Sequence, residues 1–347
     1  MSRSVLHALH VIFVTLLLVS VTATAELRIA SWNIQNLGWG EVKRFDYLTE
    51  IAQRFDLLAI QEVMNREAIE RLQGELEVTT NESWGLVNSH RLGESRYKEK
   101  YAFLWREAAV EFTGEALIYI DDAERFVREP MAARFRSRST DQRFVFSTLH
   151  AVYGNTVAER AAEAEALRSY FLWLKEVFAE GDPIIIGGDF NLAPHHPAWE
   201  RLREVAFPAI TEGATTVSTI EGRYANLYDN FWITRGTPFP IKESGILLVP
   251  EILDLTHEDM RRYVSDHVPV YIRLEGAPPV SDARVTIDVD PDKEPTTTGR
   301  LRGNRNSRIV HRPDCPSYDQ VAKHNRVHFE TKDDAKDAGY RLARNCP

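Results

Sequence analysis

Eight polar side chains stand at or beside the ends of short apolar runs: Asn33, Glu62, His150, Asp189, Asn191, Asp229, Asp266 and His267. Their chemistry is narrow. Carboxylates and amides are hard oxygen donors, suited to Mg²⁺, Mn²⁺ or Ca²⁺ rather than zinc. Two imidazoles with no cysteine nearby can act as general acid and general base near neutral pH. A neighbouring carboxylate would orient each ring and favour its charged form. A cation on the phosphate, a base for water and an acid for the departing oxygen are what phosphodiester hydrolysis needs. Taken singly, each residue has a plainer reading. Glu62 can be rim decoration, His150 a packed or solvated histidine, and Asp189 with Asn191 a solvated Asx turn.

Apolar patterning shows the elements that must position this set. Residues 183–192 read PIIIGGDFNL. Ile184, Ile185 and Ile186, closed by two glycines, read as a buried strand ending in a loop. Alternation turns Asp189 and Asn191 to the same side. The glycines are expected to let the main chain bend and a ligand approach. Residues 26–33 alternate as a first strand ending at Asn33. Residues 41–55 carry Val42, Phe45, Leu48, Ile51, Ala52 and Phe55 at helical spacing. Residues 56–60 form a second strand that runs into Gln61 and Glu62. Tyr97 and Glu99 precede a strand at 101–105, and another follows at 116–120. The strand at 144–150 ends on His150. Residues 156–178 read as a long helix capped by Thr156. Residues 227–233 place Asp229 at a strand start, and Asp266 and His267 lead into the last strand at 268–274.

The chain of 347 residues is long enough for one large domain and something small. Arg3, an apolar run at 11–21 and an A-x-A site at 23–25 read as a secretory signal peptide cut after Ala25. The alternative is a membrane anchor, for which the run is short. The mature chain is expected to be soluble, monomeric, and secreted or periplasmic. The net charge of −9 is unevenly spread. Residues 300–347 hold eleven basic and six acidic side chains, and residues 276–299 two and five. With Arg3 the one charged side chain before residue 26, residues 26–275 are left at −12. So acidic a body argues against charge-driven binding to a polyanion, unless cations sit among its carboxylates.

Six stretches, SWNIQNLG, LLAIQEV, STLHA, GGDFNL, LYDN and SDHVPV, resemble in type and order the endonuclease/exonuclease/phosphatase superfamily, over roughly residues 26–275. RYKEKYAF at 96–103 and the triplet Arg128, Glu129, Pro130 are similar to its deoxyribonuclease I branch. The resemblance implies an α/β four-layer sandwich, two packed mixed β-sheets flanked by helices, with the strand ends forming a cleft. It implies that Asn33, Glu62 and Asp266 lie at a divalent metal, Mg²⁺ first and Mn²⁺ or Ca²⁺ as alternatives. It pairs His150 with Glu99 and His267 with Asp229, and gives Asp189 and Asn191 the phosphate or a second cation. Tyr97 and Arg128 fall at DNA-contacting positions. The implied activity is endonucleolytic cleavage of duplex DNA to leave 5′-phosphates. Met64 and Gln35 depart from the pattern, standing where arginines meet the minor groove and a phosphate. Methionine brings neither charge nor a strong hydrogen bond, so weaker groove recognition is expected. The other readings are a phosphoesterase acting on a phospholipid and a non-catalytic DNA-binding protein with a decayed site.

Residues 276–299 are rich in proline, acid and threonine and read as a linker, with room for a brief strand in ARVTIDV. Residues 300–347 form a small basic α+β module. RIVHRPDC, NRVHFETKDDA and AGYRLARNC resemble the Ada-type zinc-binding module. His311 and Cys315 take its first two ligand positions and Cys346 the last, with Ala343 at the third. Three ligands against four weaken the case for Zn²⁺. A disulfide between Cys315 and Cys346 is the expectation in an exported protein. The module's charge reads as an auxiliary nucleic-acid anchor, and its plainer reading is a stability appendage.

Overall fold

The computed structural model describes residues 27–343 apart from 41, 95, 179–180, 237–238, 240, 275–276, 284, 293–300, 313–314, 316, 319, 323–324 and 330–331. The segment read as a signal peptide and Cys346 therefore lie outside the described residues. The chain begins with β1 (Arg28–Leu37), α1 (Phe45–Ala52), β2 (Leu57–Val63), α2 (Arg66–Thr80), β3 (Trp84–Asn88) and β4 (Lys100–Arg106). A second group follows: β5 (Val110–Ile118), β6 (Met131–Ser137), β7 (Arg143–His150), α3 (Val157–Val177), β8 (Ile184–Asp189), β9 (Ala206–Pro208) and β10 (Asp229–Thr234). β11 (Ile241–Ile246), β12 (Val270–Leu274) and β13 (Val285–Asp288) return to the first group. The result is a seven-stranded sheet, β13-β11-β12-β1-β2-β4-β3, and a six-stranded sheet, β5-β6-β7-β8-β10-β9. One pair in each sheet is parallel, β1 with β2 and β7 with β8. Each parallel pair is joined through a helix, α1 or α3, as a parallel crossover requires.

The sheets face one another across an aromatic core. Phe103 on β4 lies 5.5 Å from Phe135 on β6 and 5.2 Å from Phe146 on β7, ring centre to ring centre. Helices α1 and α2 pack on the first sheet and α3 on the second, giving four layers. β8 lies inside this sandwich. Ile184 and Ile186 belong to the core under α3, Ile185 to the core between the sheets. A strand covered on both faces has no polar side, so three isoleucines run together.

Three expectations need correction. The two glycines do not end β8, which continues to Asp189. A Cβ on Gly187 would meet the Phe231 ring at 2.9 Å, and one on Gly188 the Leu149 carbonyl oxygen at 2.2 Å. They allow close packing rather than a bend. The helix expected over 41–55 starts only at Phe45, because the residues before it are tied to the short helix Met260–Val264. Lys43 Nζ donates to the Val264 carbonyl at 2.7 Å, and Arg44 N to the Tyr263 carbonyl at 3.0 Å. The stretch read as linker is also partly built into the main domain. β13 pairs with β11, and Val280 and Ile287 are buried in the main core. The brief strand expected in ARVTIDV is β13, and its pairing with β11 makes it an edge of the main sheet.

The C-terminal module has its own sheet, β16-β14-β15-β17, built from β14 (Leu301–Asn304), β15 (Ile309–His311), β16 (Arg326–Phe329) and β17 (Arg341–Leu342). Leu301, Val310, Phe329, Ala335 and Tyr340 form its small core. It docks on the start of α3, where Arg160 Nη2 donates to Asp334 Oδ1 at 3.1 Å.

Candidate active site

Strand register decides where the eight residues meet. His150 pairs with Asp189 across β7 and β8, and Asp189 with Asp229 across β8 and β10. Three adjacent strands of the second sheet thus end in a row of polar side chains. In the first sheet Asn33 pairs with Gln61, and Glu62 comes next along β2. Glu99 immediately precedes β4, while Asp266 and His267 lead toward β12, the antiparallel neighbour of β1. The facing ends of the two sheets enclose a cleft of about 700 Å³ lined by Asn33, Glu62, His150, Asp189, Asn191, Asp266 and His267.

Two histidine–carboxylate pairs converge there. His150 Nδ1 lies 3.0 Å from Glu99 Oε1, and His267 Nδ1 lies 2.7 Å from Asp229 Oδ2. Both carboxylates are buried. Each ring turns its other nitrogen to a single oxygen: both Nε2 atoms lie 3.6 Å from Asp189 Oδ2. The hydrogen-bond partners assign the Nδ1 proton to the carboxylate side and leave Nε2 for a substrate. Asp189 and Asn191 do form an Asx turn, but a buried one. Asn191 N donates to Asp189 Oδ1 at 3.0 Å, which occupies one carboxylate oxygen and leaves the other facing the rings. Asn191 Nδ2 donates in turn to the Ala151 carbonyl at 2.9 Å.

Burial and the Arg128 guanidinium oppose the charged form of His150, yet Glu99 and Asp189 outweigh them and its pKa is raised. Burial also opposes the charge on His267, but Asp229, Asp189 and Asp266 lift it well above the ordinary value. Burial pushes Asp189 upward, but the two histidines, Asn191 N and Asn33 leave it below the usual range. Burial dominates at Asp229, which ends above it. The stability that follows from the raised histidines is fully present below 6.5, their unfolded value, and is lost as pH climbs through the folded values. The metal-free protein, held in EDTA, should therefore melt at lower temperature as pH rises from about 6 to about 8. Glu99→Gln should flatten that slope, and a thermal midpoint that rose across the window would contradict these assignments.

Several further residues position the site. Tyr101 Oη accepts from His150 N at 2.9 Å. Thr215 Oγ1 accepts from Asp229 N at 3.2 Å. Ser265 Oγ donates to the Asn33 carbonyl at 2.7 Å and accepts from His267 N at 3.0 Å, tying the segment before β12 to β1. Tyr101 and Ser265 lie inside the stretches RYKEKYAF and SDHVPV, while Thr215 lies in none of those quoted. Backbone strain gathers here too. Gln35, Asn36, Glu62 and Asn191 all line the cleft with φ of 49°, 56°, 60° and 49°.

The donor set suits a hard divalent cation. Glu62 accepts from Asn33 Nδ2, Asn36 N and Tyr97 Oη, each at 3.0 Å, and is held still with an edge open to the cleft. Asp266 lies on the same cleft, 3.4 Å from Arg261 Nη2. Burial lowers the Lys43 pKa to about 8 against the pull of Asp266 and Glu62, so the nearby ammonium is a reluctant counter-charge. As placed, Asn33 turns its amide nitrogen to Glu62 and Asp189 and its oxygen to Gln35 N at 3.0 Å. Turning the amide over would exchange donor for acceptor. Among the described residues, Glu62, Glu99 and His150 form one group with ligand atoms within 4.8 Å, and Asp189, Asp229 and His267 another. Asp266 joins neither group.

Both expected DNA contacts line the cleft. Tyr97 lines the cleft, and its hydroxyl donates to Glu62. Arg128 is buried, with Nε on the His150 carbonyl and Nη2 on the Ala151 carbonyl, each at 2.9 Å. Its Nε also lies 3.6 Å from Glu99. It braces the end of β7 while lining the same cleft as Tyr97.

Comparison with known proteins agrees with this geometry. The chain is 53% identical over 269 residues to a deoxyribonuclease of Thioalkalivibrio sp. (strain K90mix), covering 75% of this chain and 74% of that one. It is 28% identical to human deoxyribonuclease-1, covering 72% of this chain and 92% of the relative. Among solved structures, a humanized D. rerio TDP2 superposes with a TM-score of 0.53 at 15% identity, over 73% of this chain and all of that one. A Bacteroides thetaiotaomicron mannosyl-6-phosphatase gives 0.52 at 17% identity, over 72% and 99%. Residues 30–267, a span that takes in every cleft residue from Asn33 to His267, match the Endonuclease/Exonuclease/phosphatase family, and the chain belongs to it.

Proposed function

We propose that the mature protein is exported and cuts duplex DNA endonucleolytically, leaving 5′-phosphates and 3′-hydroxyls. It is a metal-dependent phosphodiesterase of the deoxyribonuclease I type. The observation that carries the mechanism is the pair of Nε2 atoms aimed at one point from two carboxylate-anchored rings. One imidazole takes a proton from water as its oxygen attacks phosphorus. The other, charged, gives a proton to the departing O3′ as the P–O3′ bond breaks. Glu99 and Asp229 hold the rings in the tautomer this needs. Asp189 and Asn191 sit where the phosphate must lie and fix its approach. Glu62 and Asp266, with Asn33 turned over, would hold a divalent cation, and when bound it supplies charge neutralisation at the phosphate.

The test is a substrate panel. Purified mature protein should nick supercoiled plasmid far faster than it degrades phospholipid vesicles under the same ionic conditions. Preference for the vesicles would move the activity to another branch of the family.

The C-terminal module is proposed as an anchor for the nucleic acid, stapled by a Cys315–Cys346 disulfide. Its net positive charge supports this, and so does its seat on α3. Arg160, which binds Asp334, also lies 5.0 Å over the ring of Tyr153, an exposed residue on the cleft wall. Deleting 300–347 should weaken DNA binding and flatten its salt dependence, since fewer phosphates are neutralised. An unchanged salt slope would leave the module as a stabilising appendage.

A further inference from the structure

Arg160 is a buried cation that the chemistry around Asp189 does not use. It stands on α3 with its side chain 7% exposed, and it reaches in three directions. Nη2 donates to Asp334 Oδ1 at 3.1 Å, on the short helix Lys332–Asp337 of the C-terminal module. Nη1 donates to Tyr228 Oη at 3.4 Å. The guanidinium also lies over the ring of Tyr153. Tyr153 and Tyr228 both line the cleft. A guanidinium taken out of water needs a carboxylate beside it, and here the module supplies one. Tyr228 is where this contact meets the site. Its carbonyl accepts from Phe190 N at 2.9 Å, in the middle of the turn from Asp189 to Asn191. Its own N and that of Asp229 each donate to Thr215 Oγ1 at 3.2 Å. The next residue, Asp229, holds His267. Leu192 and Ala193, just past the turn, share with His328 and Phe329 of the module a cavity of about 20 Å³, room for about one water. The module is thus packed against the two segments that carry Asp189, Asn191 and Asp229.

We infer that Arg160 is a positioning residue through which the docked module, by way of Asp334, fixes Tyr228 and so the placement of His267 and Asp189. The module therefore acts on turnover as well as on the capture of DNA. A shift of Tyr228 passes to Asp229 through one peptide bond and to the Asp189 turn through one hydrogen bond. Misplacing reacting groups by about 1 Å can cost about 100-fold in rate, so a small loosening here is enough to be felt. The inference rests on the nuclease reading.

The test uses the full chain on supercoiled plasmid at fixed Mg²⁺ and compares wild type with Asp334→Asn, Asp334→Glu, Tyr228→Phe and the double variant Asp334→Asn/Tyr228→Phe. Asp334→Asn removes a negative charge from a basic module, so a module that only anchors DNA gives an equal or lower KM and an unchanged kcat. Positioning gives the opposite pattern, with kcat down about tenfold and largely recovered in Asp334→Glu. Once Tyr228→Phe has removed the hydroxyl, Asp334→Asn should lower kcat little further, because members of one hydrogen-bond chain are not additive. The Nδ1 proton resonance of His267 in the metal-free protein reads the same link without turnover, and it should shift in Asp334→Asn. An unchanged kcat in Asp334→Asn, or a loss that simply adds to that of Tyr228→Phe, overturns the positioning role while the nuclease reading stands. A wild-type protein that cuts no DNA sinks the nuclease reading, and the His267 resonance then decides the link by itself.

Discussion

Replacing either His150 or His267 with alanine is expected to lower kcat for plasmid nicking by about 10²–10⁴-fold, the range of a positioned acid or base. Each ring has one nitrogen committed to a buried carboxylate and the other to the shared point at Asp189, so neither can stand in for its partner. The double variant should be little worse than the more damaged single one, because proton removal and proton delivery belong to one event. Folding must be separated from chemistry. Removing His267 strands the Asp229 carboxylate, which is 0% exposed, and an unpaired buried charge is costly. Adding Asp229→Asn to His267→Ala should restore thermal stability and leave nicking absent. Recovery of both together would show that the histidine had only a structural role.

Chelation is the second large effect. EDTA should take nicking to background, and Mg²⁺ or Mn²⁺ in excess should bring it back. The cause is the surplus of carboxylate around the cleft, with a nearby lysine that burial makes slow to hold its proton. Glu62→Gln should raise the metal concentration for half-maximal rate by about 100-fold or more, since it removes a charged donor that three hydrogen bonds hold in place. Nicking that continues at full rate in EDTA would remove the metal from the mechanism.

Most of the architecture was legible because the strand-end residues follow short, strongly apolar runs. The isoleucines before Asp189 and the strand ending at His150 are of this kind. The histidine–carboxylate pairings came from the resemblance alone, because Glu99 is 51 residues from His150 and Asp229 is 38 from His267. What escaped is long-range too. Nothing local marks Lys43, whose ammonium meets a carbonyl 221 residues away, or Thr215 beneath Asp229. Arg128 came from the resemblance alone, and only the fold shows the two carbonyls that hold it. Gly187 and Gly188 misled because a glycine needed for close packing cannot be told from one needed for a turn.

The left-handed backbone at Glu62 bears on how this protein can be hardened against heat. Glycine adopts that conformation without penalty, so Glu62→Gly would relax the main chain and delete the anchor of the cation site together. Gln35 and Asn36 sit in the same bind. A laboratory screen that rewards survival at high temperature alone should therefore collect inert winners at these positions of β1 and β2. Thermal tolerance and turnover would have to be selected jointly to move in the same direction.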